Sequence, residues 1–308
     1  MIQVQDHIEL LQIVKKQIGH TPLMPIRNLW KNERVKIYAK LEWKQLSGSV
    51  KARAAFRIFE KAILNGHLKP GMALLDASSG NTGIAYAAIG KKLGIEVVLC
   101  IPENASKERK EILTASGATI IYTSKYEGTD GAQLKAKDLY AQYPDRYFYA
   151  DQYSNKNNYL AHYYGTSLEI LNEVPGITHF IAGVGTSGTF IGNSLRFLDQ
   201  PVFIERIALH PNNPLHGLEG WKHLETAIVP PIYRADLATE HRSVDTEKSY
   251  ALIREAYRTE RLQLSPSSAA NLAGALELAT SLKEGVVVTV FPDNADKYSE
   301  VIQKIKPW

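Results

Sequence analysis

Short apolar runs alternate with helical patterns along almost the whole chain, and this alternation constrains the fold more than any other feature. Val35 to Leu41, Ala73 to Ala77, Val97 to Ile101 and Thr119 to Tyr122 read as strands. The intervening segments Ala52 to Asn65, Thr82 to Leu93, Ala105 to Ser116 and Gly131 to Tyr143 read as helices. The order repeats with helix Tyr159 to Leu171, strand His179 to Ala182, helix Gly188 to Phe197 and strand Val202 to Leu209. Helices Glu247 to Thr259 and Ser268 to Leu282 and strand Val286 to Phe291 complete it. Strands that alternate with helices are βαβ units around parallel sheets. The expected class is α/β with two domains, each a mostly parallel sheet flanked by helices. The boundary is placed at 1–150 and 151–308, with part of 1–44 free to cross to the other sheet. Between Asn212 and Leu237 the pattern weakens around Pro214, Pro230 and Pro231, which marks a candidate functional loop.

Three glycine- and serine-rich loops stand at strand-to-helix junctions: Ser47 to Lys51, Ser78 to Gly83 and Gly183 to Thr189. Exposed amides and the helix dipole at such junctions favour an anion. The first loop ends in Lys51, so the set points to a phosphorylated cofactor held beside a reactive amine. Gly183-Val184-Gly185-Thr186-Ser187-Gly188 also matches a dinucleotide fingerprint, but that site needs an acid near the end of the next strand. That strand runs into His210-Pro211, and Glu205 is read as mid-strand. A single phosphate monoester needs only converging amides and hydroxyls. Ser78 to Gly83 offers hydroxyls, a carboxamide and helix amides that suit a carboxylate, or else simple N-capping by Ser79 or Asn81.

Composition removes several classes. The 36 basic and 32 acidic residues are interspersed, as in Ser106 to Glu111, so the net charge of +4 is no nucleic-acid footprint. Cys100 is the only cysteine and lies in an apolar run, which excludes an internal disulfide and suits an inert core thiol. The histidines show no metal-ligand spacing, so no metal is expected. The first residues lack an apolar signal core and no stretch reaches transmembrane length, so no membrane is expected and a cytoplasmic location is the default.

Ordered motifs run across nearly the whole chain: Gly19-His20-Thr21-Pro22-Leu23, Lys40-Leu41-Glu42, Gly48-Ser49-Val50-Lys51, Ser79-Gly80-Asn81-Thr82-Gly83 and Asp151-Gln152. Ala161-His162-Tyr163, Gly183 to Thr189, Ser267-Ser268 and Pro292-Asp293 follow. Together they resemble the cysteine synthase (O-acetylserine/O-phosphoserine sulfhydrylase) family, pyridoxal-phosphate enzymes of the tryptophan synthase β-like fold. The resemblance implies that Lys51 is the Schiff-base lysine and the base for the substrate α-proton. It implies that Gly185, Thr186, Ser187, Gly188 and Thr189 cradle the cofactor phosphate, that Asn81 meets the phenolic oxygen and that Ser267 faces the pyridine nitrogen. Ser78, Ser79, Thr82 and Gln152 would bind the substrate carboxylate. The implied reaction is β-replacement on O-acetylserine or O-phosphoserine with sulfide, giving cysteine, in a homodimer.

The sequence departs from the family at Ala52, where aspartate is usual, and at Ala269, where glycine usually follows the paired serines. A glycine-rich segment that shapes the substrate mouth in many relatives is replaced by Gly217 to His223, a form closer to the cysteine synthase B branch. Lys222 there could meet the phosphate of O-phosphoserine. A cystathionine β-synthase-like or dehydratase-like lyase, a catalytically retired binding protein and, outside the fold, a nicotinamide enzyme are the alternatives.

Overall fold

The structure, a computed structural model, describes residues 4–305, so Met1 and Trp308 lie outside the described residues. The strands are β1 (Leu23–Pro25), β2 (Val35–Leu41), β3 (Ala73–Ala77), β4 (Val97–Pro102) and β5 (Thr119–Thr123). They continue as β6 (Tyr147–Tyr149), β7 (His179–Gly183), β8 (Glu205–Pro211), β9 (Glu240–Val244) and β10 (Gly285–Phe291). The helices are α1 (Val4–Lys15), α2 (Lys51–Leu64), α3 (Asn81–Leu93), α4 (Lys107–Ala115), α5 (Gly128–Gln142) and α6 (Asn157–Ala161). After them come α7 (Ser167–Glu173), α8 (Gly188–Leu198), α9 (Thr246–Glu260), α10 (Pro266–Ser281) and α11 (Ser299–Ile305). His162–Thr166, which precedes α7, is a π-helical turn.

The chain forms two compact units. One comprises Met1–Ile18, Gln45–Ser47 and Lys51–Asn158; the other comprises Gly19–Lys44, Gly48–Val50 and Tyr159–Trp308. Strands β1 and β2 pair within the sheet of the second unit.

The sheet of the first unit has the order β5-β4-β3-β6, and all its neighbours are parallel. Side chains alternate across a pleated strand, so each central strand feeds two cores. Leu74, Val97, Leu99 and Ile101 pack with Phe59, Tyr86 and Ile89 of α2 and α3. Ala73, Leu75, Ala77, Val98 and Cys100 pack on the opposite side with Ala132 and Ala136 of α5. All five residues of β3 are buried, although one of them is Asp76. The Cys100 thiol is buried, and its desolvation pushes its pKa up to about 11.

The second unit has the order β1-β2-β10-β7-β8-β9, with β1 antiparallel to β2 and the other neighbours parallel. Ile181, Ile207, Val287 and Phe291 pack against Ile253, Ala269, Ala275 and Leu278 of α9 and α10. Phe180, Ala182, Ala208 and Val288 face Phe190, Ile191 and Phe197 of α8. Short runs of Val, Ile and Phe in β7, β8 and β10 follow from burial on both faces. Between the end of β8 and Arg234 no described residue is in a helix or strand, and Ala235–Leu237 closes the weakly patterned segment with a single 3-10 turn.

Candidate functional site

In the first unit, β3 delivers the chain into the Ser78 to Gly83 loop at the head of α3. The N-cap position is Gly80 and no side chain caps it, so neither Ser79 nor Asn81 performs the simple capping allowed above. Instead the Gly83 amide donates to Ser78 Oγ at 3.2 Å. A Cβ at Gly83 would overlap the Ser78 carbonyl oxygen, which explains a glycine inside the first helical turn. Ser78, Ser79 and Asn81 are half-buried, and Thr82 is buried. Thr82 Oγ1 donates to Gln152 Oε1 at 2.6 Å, and Gln152 Nε2 donates to the Ala77 carbonyl at 3.3 Å. Gln152, distant in sequence, is thereby brought against the loop. Its carbonyl accepts from Asn158 Nδ2 at 2.7 Å, and Asp151 beside it has a left-handed φ of 44°.

Lys51 opens α2 in the same unit and is half-buried. Ser47 and Gly48 just before it adopt φ values of 64° and 61°, a sharp reversal that ends the loop at the lysine. Behind Lys51 the helix is closely packed: Ala52, Arg53, Ala54 and Ala55 are all buried. Ala52, the departure from the family pattern, fills a position with no exposure.

In the second unit, β7 leads into Gly183 to Thr189 at the head of the 11-residue helix α8. Ser187 holds the N-cap position at a φ of 71°, and its buried Oγ has no hydrogen-bond partner. A buried hydroxyl without a partner costs about 1–3 kcal/mol, so its place at a helix N-terminus indicates an acceptor supplied from outside the protein. Two glycines shape the same loop. A Cβ on Gly185 would overlap the Gly220 carbonyl oxygen, and one on Gly183 would overlap the Trp221 ring. The Lys222 amide donates to the Val184 carbonyl at 2.9 Å, so residues 220–222 are seated on this loop. The cradle is also braced laterally: Asn271 of α10 accepts from the Gly183 amide and donates to the Val290 carbonyl, both at 2.7 Å. A tetrahedral anion such as a phosphate monoester fits these donors.

Ser267 lies in the first turn of α10, buried, with its Oγ 3.3 Å from that of the N-cap Ser265. Ser265 also accepts from the Ser268 amide at 3.2 Å, and Ser268 Oγ donates to the Asp293 carbonyl at 2.6 Å. The hydroxyl cluster is neutral and rigid. Lys222 Nζ donates to the Ile228 carbonyl at 3.1 Å, which ties the turn between them. Leu218 and Trp221 are buried beneath this segment, whereas Leu215 and Ile228 are exposed.

Sequence reasoning gave no role to three neighbours of these loops. His162, in the π-helical turn, has Nδ1 2.8 Å from Thr166 Oγ1 and Nε2 3.4 Å from Thr189 Oγ1. Its signal was present in Ala161-His162-Tyr163, and π-turns recur at functional sites. Asn271 had no signal beyond a carboxamide in a small-residue helix. Asp76 had one, an acid in an otherwise apolar strand, and its burial pushes the carboxyl pKa up to about 7. The Ala77 and Gln152 amides oppose that shift.

Glu205 is the first residue of β8, not a mid-strand residue, because the strand starts three residues later than expected and runs on to Pro211. No acid stands at its end, so the loop lacks the ribose-binding carboxylate of a dinucleotide site. Among the described residues no group of His, Cys, Asp or Glu could hold a metal ion, and no helix is long and apolar enough to cross a membrane.

Comparison with known proteins agrees with this geometry. The chain is 42% identical to the cysteine synthase of Aquifex aeolicus over 295 residues, covering 93% of this chain and 90% of the relative. It is 33% identical to the O-acetylserine dependent cystathionine beta-synthase of Bacillus subtilis, covering 92% of this chain and 95% of that protein. The crystal structure of cysteine synthase from Entamoeba histolytica superposes with a TM-score of 0.89 at 28% identity, covering 97% of this chain and 93% of that one. The two units have the α/β architecture of fold type II pyridoxal-phosphate enzymes. Residues 14–293 match the family described as pyridoxal-phosphate dependent enzymes, and the chain belongs to that family.

Proposed function

We propose that this enzyme forms cysteine by β-replacement, exchanging the leaving group of O-acetylserine or O-phosphoserine for sulfide. The loop Ser78 to Gly83 with Gln152 carries the reading: hydroxyls, helix amides and a pinned carboxamide form a receptor for an amino-acid carboxylate. The 42% identical cysteine synthase supports the choice of reaction.

When bound, pyridoxal phosphate supplies an electron sink for charge developing at the substrate Cα. Gly185, Thr186, Ser187, Gly188 and Thr189 would hold its phosphate, which would give the Ser187 hydroxyl the acceptor it otherwise lacks. Asn81 would bind the phenolic oxygen. Ser267 would face the pyridine nitrogen, where a neutral hydroxyl would disfavour its protonation. Lys51 removes the proton from Cα and returns it after the nucleophile has added at Cβ. Ser78, Ser79, Thr82 and Gln152 bind the carboxylate and fix the Cα–H bond relative to the base. Lys222 meets the phosphate of O-phosphoserine as a point charge. A cytoplasmic homodimer completes the proposal, and light scattering after size-exclusion chromatography tests the assembly.

Product analysis separates the readings. Cysteine from sulfide plus either serine ester supports the proposal. Cystathionine formed from homocysteine, with little cysteine from sulfide, establishes the second reading, favoured by the Bacillus subtilis relative. Absence of a cofactor absorption band after addition of pyridoxal phosphate overturns both.

A further inference from the structure

Asp76 is the fourth residue of β3, two positions before the Ser78 to Gly83 loop, and is 1% exposed. Its Oδ1 accepts from the Ala77 amide at 2.8 Å and its Oδ2 from the Gln152 amide at 3.3 Å. The fully buried Tyr86 hydroxyl of α3 stands beside the same carboxyl, outside ideal hydrogen-bond geometry and with no other hydrogen-bond partner. One carboxyl therefore joins the end of β3, the segment after β6 and helix α3. Gln152, held at its amide by Asp76, is held at its side chain by Thr82 and the Ala77 carbonyl.

We propose that Asp76 is a positioning residue for substrate binding, which sets the place of Gln152 and takes up a solvent proton when an amino-acid carboxylate docks. The inference rests on the assignment of Thr82 and Gln152 to that carboxylate.

The charges around Asp76 leave it as the group that answers a new anion. Asp151 acts on it as a like charge, and Tyr86, Tyr149, Tyr153 and Cys100 surround it. Burial raises the pKa of each tyrosine and of the thiol, so all four are neutral near pH 7. Lys135 of α5 acts on Cys100 and opposes its shift. Both states of Asp76 keep their hydrogen bonds. The charged form accepts from two amides, and the neutral form can accept the same two bonds. A second carboxylate nearby raises the cost of the charged form, so binding draws a proton in.

The test uses holoenzyme and L-alanine, which has a carboxylate but no β-leaving group, with calorimetric titration in buffers of different ionisation enthalpy. Asp76→Asn places an amide nitrogen against one of the two backbone donors, and the expected result at pH 6 is about tenfold weaker binding. At pH 7 to 8 the wild type takes up a few tenths of a proton more than the variant on binding. Gln152→Ala loses affinity similarly, and the double variant loses no more than either single one, because both act through one carboxamide.

Tyr86→Phe keeps the acid but removes the hydroxyl that favours its charged form, so proton uptake at pH 8 increases. Unchanged L-alanine affinity in Gln152→Ala sinks the carboxylate assignment itself. Loss in Gln152→Ala with wild-type affinity and proton uptake in Asp76→Asn sinks only the role of Asp76. An uptake profile unaltered by Tyr86→Phe overturns it as well.

Discussion

Asp76 makes a stability prediction that needs no substrate. Its carboxyl titrates near pH 7 in the folded protein against 3.8 for an unperturbed aspartate, with desolvation as the main cause. The sign is the reverse of the usual salt-bridged carboxylate. Above pH 3.8 the unfolded chain releases this proton while the folded chain retains it, so stability falls as pH rises through that window and levels off above pH 7. Integrating the linkage relation between pH 5 and 8 gives a loss of about 2–3 kcal/mol from this one group. Asp76→Asn cannot titrate, and the cost of its misplaced amide nitrogen is the same at every pH. The free-energy difference, variant minus wild type, therefore moves in favour of the variant by that amount over the interval. Equilibrium urea unfolding of both proteins at pH 5, 6, 7 and 8 measures it, since titrations common to both cancel. A change below about 1 kcal/mol would mean that water or a closer donor stabilises the charged carboxyl, and the reasoning from burial would be refuted.

Other substitutions separate cofactor holding from substrate holding. Ser187→Ala removes a buried hydroxyl without a partner, so apoprotein stability should stay level or rise while pyridoxal-phosphate affinity, read by absorbance titration, falls about tenfold. Gly185→Ala forces the Gly220 carbonyl away from the loop at a cost of about 1–3 kcal/mol, and the same titration should show weakened cofactor binding. Thr82→Val leaves Gln152 Oε1 without its donor and should raise the amino-acid KM about tenfold with kcat little changed, as steady-state kinetics would show. Lys222→Ala should lower kcat/KM for O-phosphoserine about tenfold and for O-acetylserine less than twofold, if its ammonium meets the leaving group rather than only the Ile228 carbonyl.

What the sequence disclosed and what it withheld have one physical origin. Largely buried elements announce themselves: Ala73 to Ala77 coincides with β3, and the run from Val35 to Leu41 coincides with β2. Elements at the margins do not. β9 is the polar edge strand Glu-His-Arg-Ser-Val, while β1 and β6 are three residues each, too short for periodicity to register. The helix expected over Tyr159 to Leu171 is present but interrupted, because the π-helical turn at His162–Thr166 alters the spacing that periodicity assumes. Glycine loops were legible because backbone requirements leave few residue choices, as the lack of space at Gly83 and Gly185 shows.

The roles of their supports were not legible, since Asp76, Asn271 and His162 act through tertiary contacts: Gln152 lies 76 positions from Asp76, and Gly183 lies 88 from Asn271. Apolar periodicity counts Asp76 as a defect in a strand. The structure gives that defect a reason, because a carboxyl at the end of β3 can hold two separate backbone segments at once, which no apolar side chain can do. A polar residue that breaks an apolar strand just before a glycine loop is therefore a signal of function at that loop, and the absence of pH-dependent stability at Asp76 would remove the grounds for reading it so.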